Sequence, residues 1–566
     1  MDAKKLVVVG GSAAGAKAAA KARRLDQKAE ITLIQREPDL SMASCGYPYY
    51  VGGVFNDRNM LLATPTGVVR DPMFFLKTKN IKALTETEAI AIDRKKKTVT
   101  YKELKTGKQN TIDYDKLILC TGAGAALPPI PGIDLDGVTT LLSMADTDYL
   151  RKVRDEKKIT RAVVMGGGLI GVEACEALKE SGISVTLVEM ASDILTFLDP
   201  QLAKLTANHI KAKGVEVITG TGIKAFLGEA GKLVGVKLQD DTIIYCETAV
   251  AATGVRPNVQ LAREAGLKIG ELGGILVDEH MVTSDPDIYA AGDCVEIKHL
   301  ITGKNVLAPM GDLANLQGRV AGENAMCGNS IVFPGTVHTA ICKAFDFAAG
   351  STGLTEKSAR ENAIDNVETV INASPDKPGF MGAGLLVSKI MVDKSSKRIL
   401  GYQCVGNGDV SRQLATAAMA IQGEMTLDRL VCADLPYAPP YSLAIDHFIA
   451  SAHIVENKLK ARLKTILAEE VYQKTKNSDA QPFLLDGRGP DEYEVLRLGI
   501  GEKYIPVGAL RGRLDELPAD KDAEIICFCK ISMRGYETAL ILEDNGWTNV
   551  KVMEGGIVAW PYEREK

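Results

Sequence analysis

Two cysteines in unrelated frames stand nearly the whole chain apart: Cys45, in Ser41-Met42-Ala43-Ser44-Cys45-Gly46-Tyr47-Pro48-Tyr49, and Cys529, in Cys529-Lys530-Ile531-Ser532-Met533-Arg534-Gly535. A thiolate is a nucleophile whose reactivity is set by its surroundings. The pair points to one polypeptide that handles sulfur twice. Cys120, Cys175, Cys246, Cys294, Cys327, Cys342, Cys404 and Cys432 are scattered singly and read as small buried hydrophobes. Cys527 and Cys529 form a Cys-x-Cys pair with no second pair nearby, and His338, His447 and His453 lack ligand-like spacing, so no metal site is expected.

The elements that position such chemistry begin at the N-terminus. Leu6-Val7-Val8-Val9 runs into Gly10-Gly11-Ser12-Ala13-Ala14-Gly15 and then an Ala-rich helical stretch to Arg24. Strand, glycine turn and helix in that order make a dinucleotide-binding unit, in which backbone N–H groups at a positive helix end bind pyrophosphate. Ser12 replaces the middle glycine. At the end of Ile31-Thr32-Leu33-Ile34 the usual ribose-binding acid is replaced by Gln35, with Glu37 two positions on. The second copy is complete: Ala162-Val163-Val164-Met165, Gly166-Gly167-Gly168-Leu169-Ile170-Gly171, then Val185-Thr186-Leu187-Val188-Glu189. Glu189 would accept from a free ribose hydroxyl and repel a 2′-phosphate, which favours NADH over NADPH.

At 566 residues the chain exceeds one hydrophobic core and should form several domains. It is 46% hydrophobic and 25% charged with 54 Gly, the composition of a folded cytoplasmic enzyme. No apolar run is long enough for a membrane helix. The short polar start before Leu6 offers no signal peptide. A net charge of -5 argues against a nucleic-acid partner.

Around the two glycine turns lie 115–123 (Asp-Lys-Leu-Ile-Leu-Cys-Thr-Gly-Ala), 251–258 (Ala-Ala-Thr-Gly-Val-Arg-Pro-Asn) and 283–293 (Thr-Ser-Asp-Pro-Asp-Ile-Tyr-Ala-Ala-Gly-Asp). Together they resemble the two-dinucleotide-binding flavoprotein disulfide reductases, over residues 1 to about 450. The resemblance implies that the first unit holds FAD through Gly10, Ser12, Ala13, Gly15, Gln35, Arg36, Thr121, Gly122, Asp293 and Ala314. Asp293 inherits the place on the flavin's ribityl chain. The second unit would hold NADH through Gly166, Gly168, Gly171, Glu189 and Gly254. Glutathione reductase and its relatives carry a second cysteine five positions after the first, but here that position is Tyr50. A single redox thiol is similar to the coenzyme A disulfide reductase, NADH oxidase and NADH peroxidase group. Met42 replaces an aromatic of that motif, and Ala13 stands where peroxidase members have a His. Coenzyme A contacts of the group map onto Lys21, Arg24, Ser41 and Ser44. The segment Leu435-Pro436-Tyr437-Ala438-Pro439-Pro440-Tyr441 resembles the stretch from which a partner subunit's tyrosine reaches the active-site sulfur. Tyr437 is therefore the proton-donor candidate, and a homodimer is implied. A second, upstream tyrosine is replaced by Lys377-Pro378-Gly379-Phe380.

The C-terminal segments Leu484-Leu485-Asp486-Gly487-Arg488, Asp491-Glu492-Tyr493, Ile525-Ile526-Cys527-Phe528-Cys529 and Glu554-Gly555-Gly556 resemble a single rhodanese domain, with Tyr504 where a His is common. Cys529 would head a six-residue loop closed by Arg534, whose amides hold a persulfide anion. The expected architecture is α/β: two Rossmann-like dinucleotide-binding domains, an α+β dimerisation domain and a rhodanese-like α/β domain. The expected bounds are 1–120 with 253–325 for FAD, 121–252 for NADH, 326–453 for dimerisation, 454–482 as linker and 483–566 for the rhodanese. The whole resembles fusions of a coenzyme A disulfide reductase to a rhodanese. It implies FAD-dependent, NADH-driven reduction of persulfides or polysulfides, coenzyme A persulfide among them, at Cys45, with Cys529 delivering sulfane sulfur. A coenzyme A disulfide reductase is the alternative; an NADH oxidase or a non-catalytic redox sensor fits less well.

Overall fold

The computed structural model describes residues 3–476 and 481–565. The chain divides into two compact units, residues 1–190 with 218–336, and residues 191–217 with 337–566.

In the first unit, Lys5–Val9, Glu30–Ile34 and Arg161–Met165 share one burial pattern, an exposed first residue followed by four buried ones. Such continuous burial belongs to parallel strands covered on both faces. Strands 288–290, 116–119, 5–9, 30–34 and 82–84 form one parallel sheet in that order. A second parallel array places 184–189 beside 161–165, then 248–251 and 138–139. The helices Ala13–Leu25 and Gly311–Cys327 cross closely, because a Cβ at Gly318 or Gly322 would strike the backbone of Ala14 or Ala18.

The second unit holds a five-stranded antiparallel sheet in the order 340–344, 347–353, 399–406, 385–393, 367–375. The helices Val410–Gln422 and His447–Leu459 pack on it. It also holds a five-stranded parallel sheet in the order 465–466, 550–553, 525–528, 483–486, 503–504. The second sheet corrects the linker expected over 454–482. Thr465–Ile466 pairs with Val552 and Met553. The helix Ala468–Lys476 buries Val471, and its Tyr472 stacks on Tyr562 at 3.8 Å and meets Trp560 edge-on at 6.0 Å. These contacts seal the sheet's core, so the domain starts before Phe483. Residues 477–480 of the expected linker lie outside the described residues. Two expectations for cysteines also change: Cys327 and Cys432 are exposed, whereas Cys120, Cys175, Cys246, Cys294, Cys342 and Cys404 are buried.

Candidate functional site

The two dinucleotide turns are built alike. Gly10 and Gly166 both have φ above +100°, and each lies under the glycine five positions on: a Cβ on Gly15 would strike the Gly10 carbonyl, and one on Gly171 that of Gly166. Only glycine fits such a crossing of turn and helix. Gln35 accepts from the Gly11 N–H at 2.7 Å, and Glu189 from the Gly167 N–H at 2.5 Å. Gln35 thus spends its carbonyl on the turn. Ser12 heads the first helix without capping it, Ala13 opens that helix, and Gly168 heads the second.

Thr121 and Asn258 join two loops: the Thr121 hydroxyl donates to the Asn258 carbonyl at 2.6 Å, and the Asn258 amide returns to Thr121 at 3.0 Å. Gly122 and Gly254 in these loops have positive φ. Gly292 lies against Ala14 and Ala314, and next to it Asp293 is pushed up to about 6 by burial alone. A half-buried carboxyl raised by desolvation, near a glycine turn whose crossing leaves no room for a Cβ at Gly10 or Gly15, fits a group bearing hydroxyls and a pyrophosphate. Arg36, also expected at the FAD, is exposed beside Glu37.

Cys45 sits in the short 3₁₀ turn Ser44–Gly46, just before the helix Tyr47–Gly52. Ser41 adopts φ 50° and donates its N–H to the Gly11 carbonyl at 2.7 Å, which hangs the cysteine loop from the first turn. A Cβ built on Gly311 would lie 3.5 Å from the Cys45 sulfur, so the thiol faces the start of the helix Gly311–Cys327. Cys45 keeps accessible surface, yet partial desolvation first, then the carboxylates of Glu173, Asp293 and Asp312, push its thiol up. The Tyr49 hydroxyl donates to Glu173 at 3.0 Å. Sequence reasoning missed Asp312 and the Tyr49–Glu173 pair, since only the folded chain brings them to Cys45.

Of the residues expected at coenzyme A, Ser44 and Arg24 are exposed and Ser41 is half-buried. Lys21 is paired with Glu323 at 2.9 Å. Burial, then the charges of Arg24 and Lys17, lower the Lys79 pKa, so these three cations share one patch. Arg23, between them in sequence, is buried and donates to the carbonyls of Asp26, Gln27, Ala29, Lys79 and Asn80.

In the second unit Cys529 is fully buried at the end of the strand Ile525–Phe528. Ile557 and Val558 donate to the carbonyls of Cys529 and Lys530 at 3.0 and 3.1 Å, which brace the loop from outside. Among the described residues, the N–H groups of 530–534 donate to no protein acceptor. Arg534 is bidentate on Glu492 at 2.6 and 2.8 Å, and its pKa is raised by that bond and further by Cys529. Arg488 grips the buried Asp486 at 2.7 Å. Tyr504 stacks on Tyr493 at 4.3 Å. Tyr437, with 56% of its surface exposed, lies in the other part of this unit.

Residues 4–311 match the family model of the pyridine nucleotide-disulphide oxidoreductases, 339–448 that family's dimerisation domain, and 467–562 the rhodanese-like domain. A NAD-dependent persulfide reductase from A. fulgidus is 42% identical, with 98% of this chain and 100% of that one covered and a TM-score of 0.93. The reduced Bacillus anthracis CoADR-RHD is 35% identical over 99% of this chain and 98% of that one, with a TM-score of 0.90. A NADH oxidase of Methanocaldococcus jannaschii is 32% identical over 80% of this chain and 99% of that protein. The chain belongs to the pyridine nucleotide-disulphide oxidoreductases, FAD- and NADH-dependent oxidoreductases, and carries a rhodanese-like domain at its C-terminal end.

Proposed function

We propose that the protein reduces persulfides and polysulfides, coenzyme A persulfide among them, to sulfide and thiol at the expense of NADH. One observation carries this reading: the accessible thiol of Cys45 shares its chain with a second cysteine, Cys529, in a loop whose amides at 530–534 meet no protein acceptor among the described residues. Full-length likeness to a protein described as a persulfide reductase supports it.

The Cys45 sulfur attacks the outer sulfur of R–S–S–H. The substrate S–S bond breaks, RSH leaves with the proton, and Cys45 carries the sulfur as a persulfide. Two electrons and a proton then cleave that new bond, returning the Cys45 thiol and releasing hydrosulfide. FAD, when bound, relays the electron pair from NADH. The chain's own part is to hold the dinucleotides on the two glycine turns, to keep Cys45 at the start of the helix Gly311–Cys327, and to supply Tyr437 from a second copy as proton donor. The cations Arg24, Lys17 and Lys79 suit the phosphates of coenzyme A. They also favour the alternative, a coenzyme A disulfide reductase.

Sulfide release and NADH oxidation, measured with coenzyme A persulfide, polysulfide and coenzyme A disulfide side by side, test the assignment. Persulfide is expected to show the highest kcat/KM, and Cys45→Ser to abolish turnover of all three. A clear preference for the disulfide would move the assignment to the alternative, and full persulfide turnover without Cys45 would end it.

A further inference from the structure

The strand Val367–Pro375 ends its antiparallel sheet and pairs on one side only, so its outer side offers backbone N–H groups to whatever covers it. Ile371 is covered by a carboxylate of the rhodanese-like domain: its N–H donates to Glu554 at 2.7 Å. The other Glu554 oxygen accepts from the Thr465 hydroxyl at 2.6 Å and from the Lys458 ammonium at 3.0 Å. Glu554 is only 4% exposed. A carboxylate so far from water depends on such donors, and one of them belongs to the dimerisation-domain sheet. The residues after Glu554 lead to Cys529. Gly555 lies against Ile371, where an added Cβ would stand 3.1 Å from Cγ2. Gly556 passes so close to the sulfur loop that a Cβ there would strike the Cys529 and Lys530 carbonyls. Ile557 and Val558 donate to those same two carbonyls at 3.0 and 3.1 Å, and the Ser532 hydroxyl donates to the Met553 carbonyl at 2.5 Å. A carbonyl and the N–H of the next residue share one rigid plane. Holding the Cys529 and Lys530 carbonyls from behind therefore sets the directions of the Lys530 and Ile531 N–H groups.

We infer that Glu554 is a positioning residue for sulfur capture at Cys529: it anchors the turn 553–558 to the edge of the dimerisation-domain sheet, and that turn fixes the peptide planes of the sulfur loop. This rests on the reading of Cys529 as a sulfur acceptor. In the capture step the Cys529 sulfur attacks the outer sulfur of R–S–S–H, the S–S bond breaks, and RS leaves with its electron pair and the cysteine proton as RSH. Cys529 is left as the persulfide, without net oxidation or reduction. Amides held in fixed directions around one atom stabilise the negative sulfur of that step. Glu554 never touches the sulfur and acts through the turn. Capture by the rhodanese-like domain thus depends on its seat against the neighbouring sheet.

The test uses the full-length protein with Cys45→Ser as parent, so that the sulfur uptake read is that outside the reductase site. Intact-mass spectrometry follows the gain of one sulfur atom over a range of glutathione persulfide concentrations. Adding Glu554→Ala is expected to lower the maximum loading rate constant at least about tenfold while the half-saturating concentration stays within about threefold. Glu554→Gln keeps an oxygen that can accept from Ile371 and is expected to load within about threefold of the parent. Lys458→Met removes the ion pair but leaves the Ile371 bond, so it should lower the unfolding temperature while loading stays within about threefold. Loading at the parent rate in folded Glu554→Ala overturns the proposal. So does a Lys458→Met protein that loads as slowly as Glu554→Ala, because loading would then only follow stability. Should Glu554→Ala not fold, hydrogen exchange in the parent decides: sulfur loading is expected to slow exchange at 554–558 and 369–372 as well as at 529–534, and slowing confined to 529–534 overturns the proposal. If adding Cys529→Ser leaves loading at the parent rate, the acceptor reading itself has failed; loss of loading there, with Glu554→Ala at the parent rate, removes the role of Glu554 alone.

Discussion

At the scale of the residue, the neighbours of Cys45 push its thiol pKa up. Desolvation is the larger cause, and Glu173, Asp293 and Asp312 add negative charge. Asp312 lies exposed in the first turn of the helix Gly311–Cys327, where a carboxylate also stabilises the helix start. Asp312→Asn should therefore lower the Cys45 pKa and speed its alkylation by iodoacetamide several-fold between pH 7 and 8, at little cost to stability. A rate-versus-pH profile that superimposes on the wild type would show that Asp312 does not act on the thiol. The cysteine itself was legible in the sequence, because its local frame is distinctive. Its carboxylate surroundings were not: Glu173 comes from the second glycine-turn helix and Asp312 from a third region, and no local pattern links positions so far apart. Glu492 and Arg534 repeat the lesson, being 42 residues apart and joined only by the fold of their domain.

At the scale of the element, legibility followed how much of a structure one local rule dictates. The glycine turns were readable to the residue, since a crossing without Cβ atoms admits one side chain only. The strand Thr465–Ile466 was not, because two paired residues leave no periodic trace and the polar run after it resembles a linker. Buried polar networks are equally silent. The helix His447–Leu459 opens on a histidine that is almost wholly buried, its ring nitrogens bonded to Ser374 at 2.6 Å and Ser388 at 2.7 Å. Burial brings the His447 pKa down to about 4; Asp446 opposes the shift and Arg412 adds to it. The folded value lies below the unfolded one, about 6.5, so the unfolded chain takes up the proton first. The stabilisation is whole above about pH 6.5 and is lost as pH falls towards 4, to a limit on the order of 3 kcal/mol. The gap in unfolding temperature between wild type and His447→Gln should narrow steadily from pH 7 to pH 4.5. A gap that stays constant would mean that the ring titrates alike in both states.

At the scale of the whole molecule, the domain series was legible because each domain carries its own motif, whereas the assembly is written in surface rather than pattern. Among the large apolar side chains left open in the second unit are Phe380 at 80%, Tyr441 at 72%, Met419 at 70%, Tyr437 at 56% and Ile445 at 51% exposure. All five fall inside the stretch matched by the dimerisation domain, 339–448. A match to a dimerisation domain makes these side chains the ones a second copy would cover. The proposal that a second copy covers it, and thereby brings Tyr437 to the partner's Cys45, ties quaternary structure to chemistry. Phe380→Asp with Tyr441→Glu places two charges where burial would leave them unpaired, a cost that should dissociate the pair. Sedimentation velocity is expected to show a monomer. That monomer should still bind FAD, read by its visible absorbance, because the residues proposed for the flavin lie in the first unit. Sulfide release should fall at least about tenfold, the loss general acid–base catalysis commonly carries. A monomer that turns over persulfide at the wild-type rate would separate Tyr437 from the reaction and leave the interface a structural device.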